Sequence, residues 1–263
     1  MSMRIAKESD KEQLLNYLEK DLGNCLYIYL DIMQYGLNGE NIKVWMSEGK
    51  KPNTVLMQYH GDFQIYSTNL SAGEEKEIIG LIMRTKAGWI SGEKKVIDIV
   101  AGNLYDTYKL TEGWVYELTS YRSFEYPEGF GIAKKEDMRE LAALVCSDKD
   151  VGGGHHIDDL EKQFIERLKI GMGRNYYVRK NGEIISHIAT YAENDKLAIT
   201  SGMVTREDMR KEGYSSILEG CLVNDLLKEG KRVFTRVNQD RRARFLQIMG
   251  AEKCGEYARL QKI

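Results

Sequence analysis

Prolines, clustered cysteines and long apolar runs are scarce in this chain of 263 residues. It holds only two prolines, and hydrophobic residues make up 42% of it, which excludes a disordered or low-complexity chain. The densest apolar segment, Cys25–Met33, is far shorter than the roughly eighteen residues of a membrane span and contains Asp31. The N-terminal segment lacks the apolar stretch of a secretory signal. We therefore expect a globular protein without a membrane partner.

Cysteine spacing and charge narrow the class of protein further. The four cysteines are scattered without any CxxC spacing, which favours reduced thiols over a disulfide framework or a zinc site. Thirty-eight basic and forty acidic side chains leave a formal charge of −2, whereas dedicated nucleic-acid binders usually carry a basic excess. We expect a cytoplasmic protein, monomeric or homodimeric, with no metal and no nucleic-acid partner.

An internal repeat divides the sequence into two halves. Residues 5–14 and 132–141 agree at five of ten positions, and both begin with Ile-Ala-Lys. A strand-turn-strand pattern at 54–68 resembles that at 176–190, where Asn181-Gly182 is a strong hairpin signal. Lys94-Lys95-Val96 and Lys231-Arg232-Val233 each precede an apolar stretch and predict a strand in each half. The alternative is two unrelated α+β halves with a chance match.

The aperiodic stretch Tyr121–Phe130 predicts the boundary between the halves, giving domains at 1–125 and 126–263. The second half predicts an α+β layer fold, with helices around a mostly antiparallel sheet. Its predicted elements are a strand at 131–133, helices at 135–146 and 157–170, three strands between 175 and 204, the helix of the motif described below, a strand at 232–237, a helix at 240–248 and a strand near 256–261.

One motif in the second half predicts an anion site. A buried strand from Leu197 to Val204 leads through a polar turn into Arg210–Ser216, after which an amphipathic helix follows. The first amides of a helix have no intrahelical partner, and its dipole is positive at that end. Gly213 allows a phosphate to approach the backbone closely, while Arg210 and Lys211 add positive charge. The pattern indicates a diphosphate cradle.

This segment resembles the acetyl-CoA loop of the GNAT superfamily of N-acetyltransferases, whose pattern is Arg/Gln-x-x-Gly-x-Gly/Ala. Arg210, Gly213 and Ser215 occupy its three positions. The resemblance covers roughly residues 130–263 and extends to Met249-Gly250-Ala251 before the last strand. It implies two GNAT-like domains, each a mostly antiparallel mixed sheet flanked by helices. The first lacks the cofactor loop, since its corresponding stretch is a plain helix.

The resemblance implies which residues hold acetyl-CoA as co-substrate. Backbone amides around Gly202–Val204 would bind the pantetheine amide and polarise the acetyl carbonyl, with a bulge at the glycine. The cofactor-binding residues implied in this way are Gly202, Met203, Val204, Thr205, Arg210, Lys211, Glu212, Gly213, Tyr214, Ser215, Ser216 and Asn238.

Direct acetyl transfer to an amine also needs a base and an acid. Phe245 stands where the family usually has the tyrosine that protonates the leaving thiolate, so either water takes that role or this half has lost turnover. His187 and Glu193 are the candidate bases, with Asp195 a further alternative, although the residues favour a structural histidine and solvated turn carboxylates over these roles.

A glycine-rich loop, residues 152–154, precedes His155 and His156. A metal site is disfavoured there, because two adjacent histidines cannot easily point at one ion. The resemblance places this loop beside the acceptor, so both histidines are candidate substrate contacts.

The resemblance therefore predicts an acetyl-CoA-dependent N-acetyltransferase acting on a small-molecule or peptide amine. The alternative is a catalytically inactive acyl-CoA-binding regulatory module, favoured by Phe245 and by the missing strand carboxylate. A purely structural protein would leave the Arg210–Ser216 loop unexplained.

Overall fold

The computed structural model describes residues 2–49, 51–104, 106–152 and 155–263. Within them, no helix is long and apolar enough to cross a membrane. Gly153 and Gly154, which belong to the glycine-rich loop singled out in the sequence, lie outside the described residues.

The first half has the element order β-α-α-β-β-β-α-β-α-β, with short 3-10 turns before α1 and α2. Its elements are β1 (Met3–Ile5), α1 (Lys11–Leu18), α2 (Leu22–Tyr35), β2 (Ile42–Ser47), β3 (Thr54–Tyr59), β4 (Asp62–Ser67), α3 (Ala72–Thr85), β5 (Trp89–Glu93), α4 (Lys94–Ala101) and β6 (Tyr108–Glu117).

The second half repeats this order. Its elements are β7 (Phe130–Ile132), α5 (Met138–Ser147), α6 (Ile157–Lys169), β8 (Asn175–Lys180), β9 (Glu183–Glu193), β10 (Leu197–Thr205), α7 (Tyr214–Lys228), β11 (Arg232–Val237), α8 (Asp240–Ile248) and β12 (Glu252–Lys262). Every element predicted for this half from the sequence is present, with small shifts of its ends.

The chain forms two compact units that do not follow the two halves strictly. Unit 1 consists of Met1–Val115, Val237–Ala243 and Lys253–Ile263, and unit 2 of Tyr116–Arg236 and Arg244–Glu252. Nearly all of β12, the last strand of the chain, is therefore part of the unit that contains the N-terminus. The boundary after residue 125 stays a prediction about the duplicated sequence.

The strands of unit 1 follow the order β1-β2-β3-β4-β5-β12-β6. The pairs from β1 to β12 are antiparallel except between β4 and β5. β12 pairs with β5 from Tyr257 against Glu93 to Gln261 against Trp89. One core cluster joins β3, β4, β5, α3 and α4 to β12, which contributes Ala258 and Leu260. The C-terminal strand thus completes the hydrophobic core of unit 1.

The sheet of unit 2 has the order β11-β10-β9-β8-β7 and is antiparallel except between β10 and β11. Helices α5 and α6 pack on each other over β9 and β10, with Leu141, Phe164 and Val204 in a shared cluster. The predicted α+β class, a mostly antiparallel mixed sheet flanked by helices, is confirmed for both units.

Two correspondences predicted between the halves are wrong. The hairpin at 54–68 joins the third and fourth strands of its half, whereas Asn181-Gly182 joins the second and third strands of the other. Lys94-Lys95-Val96 begins helix α4 rather than a strand. The buried residues of α4, which are Val96, Ile97, Val100 and Ala101, recur at helical spacing, and this period outweighs the β-branched composition.

Candidate functional site

Strands β10 and β11 of unit 2 pair with each other over only part of their length. They pair in parallel from Leu197 against Arg232 to Thr200 against Thr235. β10 continues to Thr205 and β11 to Val237, but beyond these pairs the two strands do not pair with each other, along a stretch that is wholly described. From Ser201 onward, one backbone edge of β10 therefore has no neighbouring strand to satisfy it.

The other side of the same stretch carries the predicted bulge. Ser201 pairs with Ala189 and Val204 with His187, so three steps along β10 oppose two along β9. Gly202 lies within the bulge at φ +65°, a conformation that favours glycine. A bulge twists and redirects a strand, so this glycine marks the point where β10 turns away from regular pairing.

Helix α7 begins close beyond the end of β10 and has an uncapped N-terminus. Its N-cap residue is Gly213, at φ +85°, which supplies no side-chain cap. A Cβ atom at this glycine would have nothing within 4 Å, so the space in front of the helix is open. Because the first amides of α7 have no intrahelical acceptor, this end of the helix can bind an anion.

A chain of hydroxyl groups ties α7 to the sheet. Ser186 Oγ lies 2.8 Å from Thr205 Oγ1, which lies 2.6 Å from Ser215 Oγ. Ser186 and Thr205 are buried, so the contacts are sheltered from water. The hydroxyl of Ser215 therefore positions the helix, and the other serine of the first turn, Ser216, is half-buried.

Arg210 connects the glycine loop to the loop that follows α5. Its Nη2 donates to Asp148 Oδ2 at 2.9 Å, and its Nε donates to the Thr205 carbonyl at 3.1 Å. Asp148 Oδ1 also accepts from the amides of Asp150 and Val151. The guanidinium thus holds two loops together, a role beyond the positive charge expected from the sequence.

The two candidate substrate histidines lie further along that loop. His155 and His156 are exposed, and His156 is the N-cap residue of α6. The described residues contain no group of three or more His, Cys, Asp or Glu side chains that could hold a metal ion. A substrate contact by either histidine stays a prediction.

His187 is buried beneath the bulge, with a polar contact at each ring nitrogen. Nδ1 lies 2.8 Å from the Gly202 carbonyl oxygen, and Nε2 lies 2.9 Å from Oδ1 of Asn175. Burial lowers the pKa of His187 to about 4, so the ring is neutral at pH 7. The candidate base is thus enclosed and engaged on both sides, which favours a structural role.

The depressed pKa of His187 predicts a pH dependence of stability. The unfolded ring takes up a proton near pH 6.5, whereas the folded ring does so only near pH 4. The free energy of unfolding should therefore fall by about 2 kcal/mol as the pH drops from 6.5 to 5. Urea unfolding across this range measures the slope, and replacing His187 by Asn should remove this contribution. An unchanged slope in that variant would contradict the assignment.

The second candidate base, Glu193, lies in an ion-pair cluster. Its carboxylate is 2.8 Å from Arg174 Nη2 and 3.4 Å from Lys231 Nζ, and the residue is buried. It stands opposite Ala198, before the point where β10 and β11 separate, while Asp195 is exposed in the turn between β9 and β10. A catalytic role for either carboxylate stays a prediction, and the ion pairs favour a structural role for Glu193.

Asn238 and Phe245, the two residues that the family resemblance singled out after β11, belong to different units. Asn238 is exposed just after β11, in the segment assigned to unit 1. Phe245 lies in α8, in a segment of unit 2, and is half-buried. Cofactor binding by Asn238 stays a prediction.

Solved structures with the same architecture span nearly the whole chain. A GNAT-family acetyltransferase from Colwellia psychrerythraea is 12% identical and covers 100% of both chains, with a TM-score of 0.61. A GCN5-related N-acetyltransferase-like protein from Streptococcus suis is 12% identical to this chain. The match covers 98% of this chain and 100% of that protein's chain, with a TM-score of 0.62.

A third structure, a tandem GNAT protein from the clavulanic acid biosynthesis pathway, is 11% identical to this chain. The match covers 98% of this chain and 97% of that protein's chain, with a TM-score of 0.60. The chain has the tandem GNAT fold. No protein-family model matches the chain, and no curated protein does. The likeness at 11–12% identity therefore establishes the fold.

The two GNAT-like units differ at the equivalent of this site. In unit 1 the corresponding strands, β3 and β4, pair regularly from Thr54 against Ser67 to Tyr59 against Asp62, without a bulge. The corresponding helix, α3, is capped by Ser71, which accepts from the Glu74 amide. Glu74 Oε2 in turn accepts from the Ser71 amide at 2.9 Å. A carboxylate of the chain itself thus occupies the helix end, where a phosphate would need to sit.

Sequence reasoning missed several residues that shape this site in the GNAT fold. Three polar residues hydrogen-bond to the site residues predicted from the sequence, but each is at least 12 positions from its partner along the chain. They are Asp148, Ser186 and Asn175. Nothing in the local sequence around Ser186 or Asn175 distinguishes them from other polar strand residues. Asp148 alone carries a local signal, since an aspartate before a short turn commonly accepts from the following amides.

Proposed function

We propose that unit 2 binds acetyl-CoA and transfers the acetyl group directly to a primary amine. The observation that carries this proposal is a combination within one unit: β10 separates from β11, bulges at Gly202 and leads to the uncapped end of α7. The neighbouring structures described as GNAT-family acetyltransferases support the same proposal.

The residues of unit 2 fit an extended thioester ligand with a diphosphate. The open N-terminus of α7 would hold the diphosphate, with Gly213 leaving room and Lys211 adding positive charge nearby. The unpaired edge of β10 from Ser201 to Val204 would offer backbone groups to the pantetheine amides. Acetyl-CoA supplies the acetyl group as a thioester, and a backbone amide at the bulge would polarise its carbonyl.

Acyl-CoA binding without turnover is the second candidate function. Phe245 has no proton to give, and both ring nitrogens of His187 are engaged. A transferase with these residues would rely on water to deprotonate the amine and to protonate the thiolate. A binding module would need neither step, and it would serve as a cytoplasmic acyl-CoA sensor.

Thermal unfolding with and without acetyl-CoA tests the shared part of both functions. At a hundred times its dissociation constant, a ligand stabilises a protein by about 2.7 kcal/mol, which raises the melting temperature by several degrees. We expect this shift with acetyl-CoA. The absence of any shift at millimolar acetyl-CoA would contradict the proposed function.

Release of free CoA thiol in the presence of an amine separates the two functions. Three acceptors represent the proposed class: a polyamine, an amino sugar and a lysine-containing peptide. With a transferase, the rate of thiol release should rise with the concentration of at least one of these amines. Mass spectrometry should then detect the acetylated form of that amine. Binding of acetyl-CoA with no release above the amine-free rate for any of the three would favour the binding module.

A further inference from the structure

A polar chain crosses three strands directly beneath the bulge. It runs from Asn175 on β8 through the ring of His187 on β9 to the Gly202 carbonyl on β10, with contacts of 2.9 and 2.8 Å. The ring is fully buried and also packs against Phe164 of α6, with 5.8 Å between ring centroids. No other buried histidine occurs in the described part of the chain.

The bulge leaves the Gly202 carbonyl without a partner in the strand ladder, and the His187 ring lies within hydrogen-bond distance of it. The extra residue of a β-bulge interrupts the ladder, and a buried carbonyl without a donor is costly. A Cβ atom at Gly202 would stand 3.3 Å from Cε1 of His187, so the glycine backbone rests against the ring. The ring thus both supports the bulge and gives its carbonyl a hydrogen-bond partner.

The direction of this hydrogen bond determines the orientation of the next amide. Because a peptide bond is planar and trans, the N–H of Met203 points opposite to the Gly202 carbonyl, away from the His187 ring. Any tilt of the carbonyl would turn this N–H by the same angle. The ring therefore controls the orientation of the peptide at the centre of the proposed thioester site.

We propose that His187 is a positioning residue that holds the Gly202 carbonyl and so orients the bulge amides toward bound acetyl-CoA. This inference rests on the proposed function of unit 2. The role requires the neutral tautomer with the proton on Nδ1, because a carbonyl oxygen can only accept. Nε2 then accepts, so the role also requires the side-chain amide of Asn175 to turn its nitrogen toward the ring in place of Oδ1, which lies 2.9 Å from Nε2. With Oδ1 facing Nε2, the neutral ring would carry its proton on Nε2 and could not donate to the Gly202 carbonyl.

Two substitutions that each keep one of the ring's polar positions test this role. In His187→Asn the amide nitrogen replaces Nδ1 and can still donate to Gly202. In His187→Gln the nitrogen replaces Nε2, so the Gly202 contact is lost. We expect His187→Gln to weaken acetyl-CoA binding about tenfold, and His187→Asn to recover most of this loss.

Adenosine 3′,5′-bisphosphate serves as the matched ligand, because it carries the nucleotide end of CoA without the pantetheine and thioester. Its dissociation constant should be the same in both variants and in the wild type. An equal loss of acetyl-CoA affinity in both variants, or a parallel loss of the nucleotide, would overturn the positioning role. Failure of the wild type to bind acetyl-CoA would instead refute the proposed function.

Two further measurements use the ligand-free protein, and the first of them needs no variant. Nitrogen-15 NMR of the wild-type imidazole should show Nδ1 protonated and Nε2 unprotonated, and the opposite tautomer would refute the assignment. Amide hydrogen exchange at Met203 and Val204 should accelerate in His187→Gln and stay close to wild type in His187→Asn. Equal exchange in the two variants would show that the ring does not hold the bulge.

Discussion

Replacing Gly213 by Glu should abolish acetyl-CoA binding while the protein stays folded. The glycine is the N-cap residue of α7, and the space around its missing side chain is empty. A glutamate there would fill the open end of the helix and place a carboxylate against the ligand's diphosphate, much as Glu74 does within unit 1. We expect the dissociation constant to rise by more than about a hundredfold, or about 3 kcal/mol.

Gly230→Glu is the matched control for this experiment. Gly230 lies just after the other end of α7, at φ +80° against +85° for Gly213, and its Cβ position is equally empty. Both variants carry a similar backbone cost of about 1–2 kcal/mol, because L side chains rarely adopt this conformation. Only Gly213→Glu should lose acetyl-CoA in calorimetric titration. Equal affinities in the two variants would mean that the ligand does not use the end of α7.

Leu260→Ala, at the fourth residue from the end of the sequence, should destabilise the unit that contains the N-terminus. Leu260 is fully buried on β12 and pairs with Ile90 of β5, in the core cluster of unit 1. Removing a buried leucine side chain costs the transfer free energy plus the cavity, about 2–5 kcal/mol. Native-state hydrogen exchange should show faster exchange in β5 and α4, with the strands β8, β9 and β10 of unit 2 far less affected.

Lys262→Ala, two residues further along the same strand, is the control. Lys262 is exposed, so its truncation leaves no cavity and should change the free energy of unfolding by less than about 0.5 kcal/mol. Accelerated exchange confined to β8–β10 in Leu260→Ala would contradict the assignment of β12 to unit 1. So would equal protection of β5 in the two variants.

Local patterns predicted the site of unit 2 because its main parts are contiguous in the chain. β10, the glycine loop and α7 follow one another within Leu197–Lys228, so strand pattern, turn residue and helix start are all local signals. The bulge at Gly202 also follows from a glycine within a buried strand. The error at Lys94 came from the same local reasoning, since a short apolar run fits a buried helix as well as a strand.

The amino-acid sequence alone determined the α+β class, the repeated element order of the second half and the glycine loop before α7. Tertiary packing decided that β12 completes unit 1, that Arg210 contacts Asp148, and that the buried ring of His187 lies against the Gly202 carbonyl. Each of these joins residues that are far apart in sequence or on different strands. Hydrophobic periodicity and turn residues predict only the local backbone conformation. Strand order and buried hydrogen bonds depend instead on which distant segments pair their hydrogen-bonding groups with each other.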